Sequence, residues 1–128
     1  MANGKETIKV LSVDDAEDHN ILMDWLMRDE PDLELVGTME SADGVVEAVQ
    51  RWRPDIVLMD LLMPGLAPVE AIRALSLTTP FCRVIVHSSL DDSIEQQAAI
   101  EAGAWGSVSK NAESSEVFAA IRRAANED

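Results

Sequence analysis

The residues able to do chemistry fall in four short segments. They are the acidic pair Asp14-Asp15, a third carboxylate at Asp60, the hydroxyl pair Ser88-Ser89, and Lys110. Three carboxylates brought close together repel one another unless a cation joins them. Oxygen donors call for a hard cation, and an incomplete acidic cage suits Mg²⁺ better than Ca²⁺, because Mg²⁺ keeps several waters and completes its shell with phosphate oxygens. Phosphoryl transfer needs a nucleophile, positive charge at the equatorial oxygens and donors placed around them; a carboxylate, a lysine and a hydroxyl supply each part. Taken singly, the residues have plainer readings: Asp14 or Asp15 as a helix cap, Asp60 as a polar strand end, Ser88 as a turn residue and Lys110 as a surface charge. The chemistry therefore depends on whether the fold gathers all four segments.

The elements that would gather them are legible as an alternation. Short β-branched or apolar runs, Ile8 to Val13, Leu33 to Met39, Ile56 to Asp60, Val84 to His87 and Gly106 to Ser109, read as strands. Helical spacing fills the segments between and after them. It is seen in Ile21, Leu22, Trp25 and Leu26; in Val45, Ala48, Val49 and Trp52; in Val69, Ile72 and Leu75; in Ile94, Ala98 and Ala102; and in Val117, Ala120, Ile121 and Ala124. Trp25 and Trp52 are expected in the core. Pro68 suits a first helical turn, and Arg53-Pro54 closes the second helix. Five βα units predict an α/β fold with a doubly wound parallel sheet and helices on both faces. Ile56 to Met59 is apolar at every position and belongs at the centre of that sheet. Ligands of such sheets sit beyond the carboxyl ends of the strands, which is where all four polar segments fall.

Composition sets the remaining bounds. At 128 residues, 47% hydrophobic and 27% charged, the chain reads as one globular domain over 1–128 with a core at about 7–126. Ten basic against 24 acidic residues give a formal net charge of −14, which argues against nucleic acid or anionic membrane as a direct partner of this segment. Apolar runs are too short to span a bilayer, and no leader pattern opens the chain, so a cytoplasmic location is expected. The lone Cys82 reads as a buried spectator. His19 and His87 lack a second His or Cys at metal-ligand spacing and read as structural.

The four segments in this order and spacing resemble the receiver domains of two-component response regulators. The resemblance rests on Val13-Asp14-Asp15, on Pro54 through Asp60 to Gly65, on Val84-Ile85-Val86-His87-Ser88-Ser89, and on Gly103-Ala104-Trp105-Gly106-Ser107-Val108-Ser109-Lys110. It spans nearly the whole chain and implies the flavodoxin-like strand order 2-1-3-4-5. It further implies Asp60 as phosphoacceptor, with Asp15, Asp60 and the Leu62 backbone carbonyl holding Mg²⁺ (Mn²⁺ as a substitute) and Asp14 binding through water. Ser88 and the Ser89 N–H would meet the phosphoryl group, and Lys110 would pair with one of its oxygens. The implied partners are a sensor histidine kinase or phosphotransfer protein and a downstream output, such as a helix-turn-helix DNA-binding domain if the chain is a fragment. The implied output face is the fourth helix, fifth strand and fifth helix.

Some positions depart from the family pattern. Ser107 stands where many receivers carry an aromatic switch residue. Asn111 replaces the common proline after the lysine, so a cis peptide is not presumed at Lys110-Asn111, and Ala67-Pro68 replace the usual Asp-Gly. The two positions that the family ties to phosphoryl lifetime are Leu62 and Leu90; neither leucine can orient a water, and slow self-dephosphorylation is expected. A rival reading is a hydrolase that forms an aspartyl phosphate, but Leu62 stands where its second acid is wanted, so turnover of an outside substrate is not expected. A degenerate receiver acting as a constitutive binding module is disfavoured because every phosphorylation residue is present.

Overall fold

A computed structural model describes residues 7–63, 67–89 and 94–127, in which strands and helices alternate. The elements are β1 (Ile8–Val13), α1 (Glu17–Met27), β2 (Leu33–Met39), α2 (Val45–Trp52), β3 (Ile56–Met59), α3 (Pro68–Thr78), β4 (Arg83–Ser88), α4 (Ile94–Ala102), β5 (Gly106–Ser109) and α5 (Ser114–Asn126). All strands pair in parallel, in the order β2-β1-β3-β4-β5. The parallel sheet expected from the alternation, and the flavodoxin-like order implied by the resemblance, are the ones observed.

Side-chain alternation along the strands divides the core in two. Val10, Ile56, Leu58 and Ile85 pack with Met23 and Met27 of α1 and with Val117, Phe118 and Ile121 of α5. Leu11, Val57, Met59 and Val86 face the other way, against Val45 and Val49 of α2, Ile72 and Leu75 of α3, and Ala99 of α4. β3 is buried at every position and lies between β1 and β4, as a wholly apolar strand should. Pro68 opens α3. Arg53 closes α2 in the left-handed conformation, with φ of 52°, before buried Pro54. No cis peptide occurs among the described residues, so Lys110-Asn111 is trans.

Three helices differ in part from the sequence expectation. Ile21, Leu22 and Trp25 lie on the solvent side of α1, with Trp25 66% exposed, while Asn20, Met23 and Met27 face the sheet. The long flexible methionines fill the core and Ile21, Leu22 and Trp25 stay outside, because only one stripe of an 11-residue helix reaches the sheet. Trp52 is also not a core residue, being 37% exposed. Its ring lies over Gly37 of β2, where an added Cβ would stand 2.5 Å from Trp52 Cζ3, so it shields the edge strand instead of entering the core. In α4, Ile94 points outward and Ala99 and Ala102 are the buried positions. Cys82 is buried as expected, and burial pushes its thiol up to about 12, so it stays protonated and unreactive.

Candidate functional site

Three backbone hydrogen bonds carry the sheet ladder one residue past its strands and line up the polar residues. Asp14 N–H donates to Met39 O at 2.9 Å, Asp60 N–H to Val13 O at 3.0 Å, and Lys110 N–H to Ser88 O at 3.0 Å. Adjacent parallel strands thus end at one level, and residues far apart in sequence meet there. One carboxylate oxygen from each of Asp14, Asp15 and Asp60 lies within 4.8 Å of the others.

Asp14 is buried, and both of its oxygens are engaged. Ala16 N–H donates to Oδ1 at 2.9 Å, leading the chain into α1, and Oδ2 lies 2.5 Å from Lys110 Nζ. The N-cap itself is Ala16, so Asp14 does more than cap a helix. Lys110 also reaches Asp60 Oδ2 at 3.3 Å, while Leu62 N–H donates to Asp60 Oδ1 at 3.1 Å. Burial alone would lower the Lys110 ammonium; its hydrogen bond to Asp14 and the charges of Asp14 and Asp60 outweigh that and hold it above the ordinary lysine range. Asp15 is exposed at the rim. Three carboxylates against one ammonium leave two formal negative charges uncompensated among these four groups, and the donors are hard oxygens. The arrangement fits a hard divalent cation.

The remaining sequence-predicted residues distribute as follows. Ser88 is buried at the end of β4, Ser89 is exposed just after it, and Leu62 is 51% exposed beside Asp60. Leu90 lies outside the described residues. Ser107 sits on β5, and its hydroxyl accepts a short hydrogen bond from the Gln96 side chain of α4.

Sequence reasoning passed over two residues of α1. Asn20 is buried, donates to the Asp14 carbonyl at 2.9 Å and accepts from the Ser12 hydroxyl at 2.9 Å, so it fixes the strand end that presents Asp14. His19 places Nε2 3.7 Å from Asp14 Oδ2 and its ring 5.0 Å, centroid to centroid, from His87. Burial is the main cause holding both imidazoles below the ordinary histidine range, with His87 down at about 4. Neither residue belongs to a sequence spacing that signals a site; only the packing of α1 on the sheet brings them in.

The model of the response regulator receiver domain family matches residues 10–122. The chain belongs to this family. It is 38% identical over 99 residues to protein-glutamate methylesterase/protein-glutamine glutaminase 4 of Geobacter metallireducens, covering 76% of this chain and 28% of that one. It is 33% identical over 118 residues to the transcriptional regulatory protein LiaR of Bacillus subtilis, covering 91% of this chain and 56% of that one. This receiver therefore spans about half or less of the length of these two relatives. Among solved structures, the response regulator domain of Thermotoga maritima CheB superposes with a TM-score of 0.86 at 28% identity, over 96% of this chain and 99% of that domain. No helix among the described residues of the receiver is long and apolar enough to cross a membrane.

Proposed function

We propose that this receiver accepts a phosphoryl group on Asp60 from a histidine kinase or a phosphotransfer protein and relays the change to a downstream output. The observation that carries the reading is the Lys110 bridge between Asp14 and Asp60 with Asp15 at the rim, which sets a nucleophile, a cation and an acidic cation site side by side. An Asp60 carboxylate oxygen forms the new bond to phosphorus. The bond from phosphorus to the donor's imidazole nitrogen breaks, and the leaving nitrogen keeps the electron pair. Lys110 supplies positive charge to one equatorial oxygen, and the Ser88 hydroxyl and Ser89 N–H serve as donors to the others.

The cation that fits the oxygen donors is Mg²⁺, with Mn²⁺ as a substitute. Asp15, Asp60 and the Leu62 carbonyl would hold it, with Asp14 acting through water, and it would neutralise charge on the phosphoryl oxygens. The output is a separate domain or protein; LiaR, a transcriptional regulatory protein of which the match covers 56%, suggests an output in transcription.

Intact-mass spectrometry after incubation with acetyl phosphate tests the assignment. One added phosphoryl group is expected, dependent on Mg²⁺ and absent from Asp60→Asn. Persistent labelling of Asp60→Asn would remove Asp60 as the acceptor.

A further inference from the structure

His19 Nε2 is a buried polar side-chain atom with no hydrogen-bond partner among the described residues, and it faces an atom that is about to change partners. Asp14 Oδ2 holds Lys110 Nζ at 2.5 Å, while His19 Nε2 waits on the same oxygen at 3.7 Å, too far to bond. The reading of Asp60 as phosphoacceptor requires the Lys110 ammonium to follow a phosphoryl oxygen, and any such movement loosens its short contact with Asp14. A buried carboxylate oxygen deprived of its donor is costly unless another donor arrives. Among the protein's own donors, Ala16 N–H already serves Oδ1 and Asn20 serves the Asp14 main-chain carbonyl, so neither is available to Oδ2, where His19 would compete only with a cation-bound water. Closing 3.7 Å to a hydrogen-bond length of about 2.9 Å asks for a shift of less than about 1 Å.

We propose that His19 is a positioning residue that donates to Asp14 Oδ2 when Lys110 leaves it for the phosphoryl group on Asp60. The half-buried, neutral ring can carry its proton on the buried Nε2, and contact with the His87 ring, tilted by 49°, steadies its plane. In the resting state His19 contributes little, because Lys110 occupies the oxygen. In the phosphorylated state it keeps Asp14 in place. This inference rests on the proposed function and adds to it a residue that acts in one state only.

The test uses beryllofluoride with Mg²⁺ as the phosphoryl mimic, and calorimetry on the full chain. His19→Leu should bind beryllofluoride about fivefold more weakly than wild type, the value of one ordinary hydrogen bond, while its affinity for Mg²⁺ alone is unchanged. His19→Gln, whose amide can donate from a similar position, should stay within about twofold of wild type. In an Asp14→Asn background the leucine substitution should cost nothing more. The ¹⁵N shift of wild-type His19 Nε2 should also move to its hydrogen-bonded range on adding beryllofluoride, a readout that does not depend on how well any variant folds. Equal affinity of His19→Leu and wild type, an equal loss for Mg²⁺ alone, or an unmoved Nε2 shift would overturn the handover. If wild type failed to bind beryllofluoride at all, the phosphoacceptor reading itself would fall, and the inference with it.

Discussion

At the scale of single residues, the site is a competition for two carboxylates. Lys110 bridges Asp14 and Asp60, and on the proposed function a phosphoryl group would draw the ammonium away from them. How long that group then survives depends on water. Hydrolysis needs a water aligned opposite the leaving carboxylate oxygen, and a polar side chain two residues after Asp60 or two after Ser88 is placed to align one. Here both are leucines, and Leu62, half exposed beside Asp60, has no polar atom with which to orient a water there. The Leu62→Asn, Leu90→Glu double variant should therefore lose its phosphoryl group about tenfold faster, corresponding to about 1.4 kcal/mol of barrier. The measurement is decay of phosphorylated protein after the donor is removed, in Mg²⁺ and without a phosphatase. A wild-type decay as fast as the variant's would show that the leucines do not govern the water. That Asp14, Asp15, Asp60, Ser88 and Lys110 meet at one edge of the sheet was legible in the sequence, because each lies at or within two residues of a strand's carboxyl end. His19 was not, because its role depends on which face α1 turns to the sheet.

At the scale of elements, the link from site to surface differs from an aromatic swing. Ser107 of β5 is tied instead to Gln96 of α4 by a side-chain hydrogen bond, and Ser88, on the neighbouring strand, pairs with Ser109 in the ladder two residues on. A movement of Ser88 toward a phosphoryl group would, through this pairing, be expected to reach β5 and, through the polar tie, α4. Beryllofluoride should lower amide-exchange protection or shift resonances over residues 88–110, and Ser107→Ala should reduce the response in α4 while leaving that around Ser88 intact. An unchanged spectrum over 88–110 would refute a population shift through this face. The elements themselves were read from periodicity with uneven success, and the reason is physical. α5 carries Val117, Ala120, Ile121 and Ala124 all buried, a stripe that matches its packing face. α1 is apolar on two sides, so periodicity alone favoured Ile21, Leu22 and Trp25 over the true inner residues Met23 and Met27, and it could not show that a buried Asn20 would be satisfied by the end of β1.

At the scale of the whole molecule, the formal charge of −14 sets the electrostatic background in which the buried His87 and half-buried His19 imidazoles must fold. His87 lies on the face of β4 that packs toward α1, 4% exposed, and burial is the main reason its folded value sits at about 4, aided by the nearby His19 and Lys110. In the unfolded chain the same imidazole titrates near 6.5. Between these values the unfolded chain binds a proton that the folded chain refuses, so lowering the pH stabilises the unfolded state. The difference corresponds to a loss of about 3 kcal/mol once the pH has fallen from above 6.5 to about 4, and nothing is lost at higher pH. His19, also held below the ordinary histidine range by burial, acts in the same direction. Easing of negative self-repulsion on acidification acts in the opposite direction, so the comparison must be made against a variant that shares the surface charge. His87→Leu, similar in volume and facing the same way as Ile85, removes the titrating group while keeping the core filled. Urea unfolding of both proteins at pH about 7.5 and about 4.5 should show wild type losing about 2 kcal/mol more than His87→Leu across that interval. Equal losses in the two proteins would mean that His87 takes up its proton as readily in the folded chain as in the unfolded one, and that the acid sensitivity lies elsewhere.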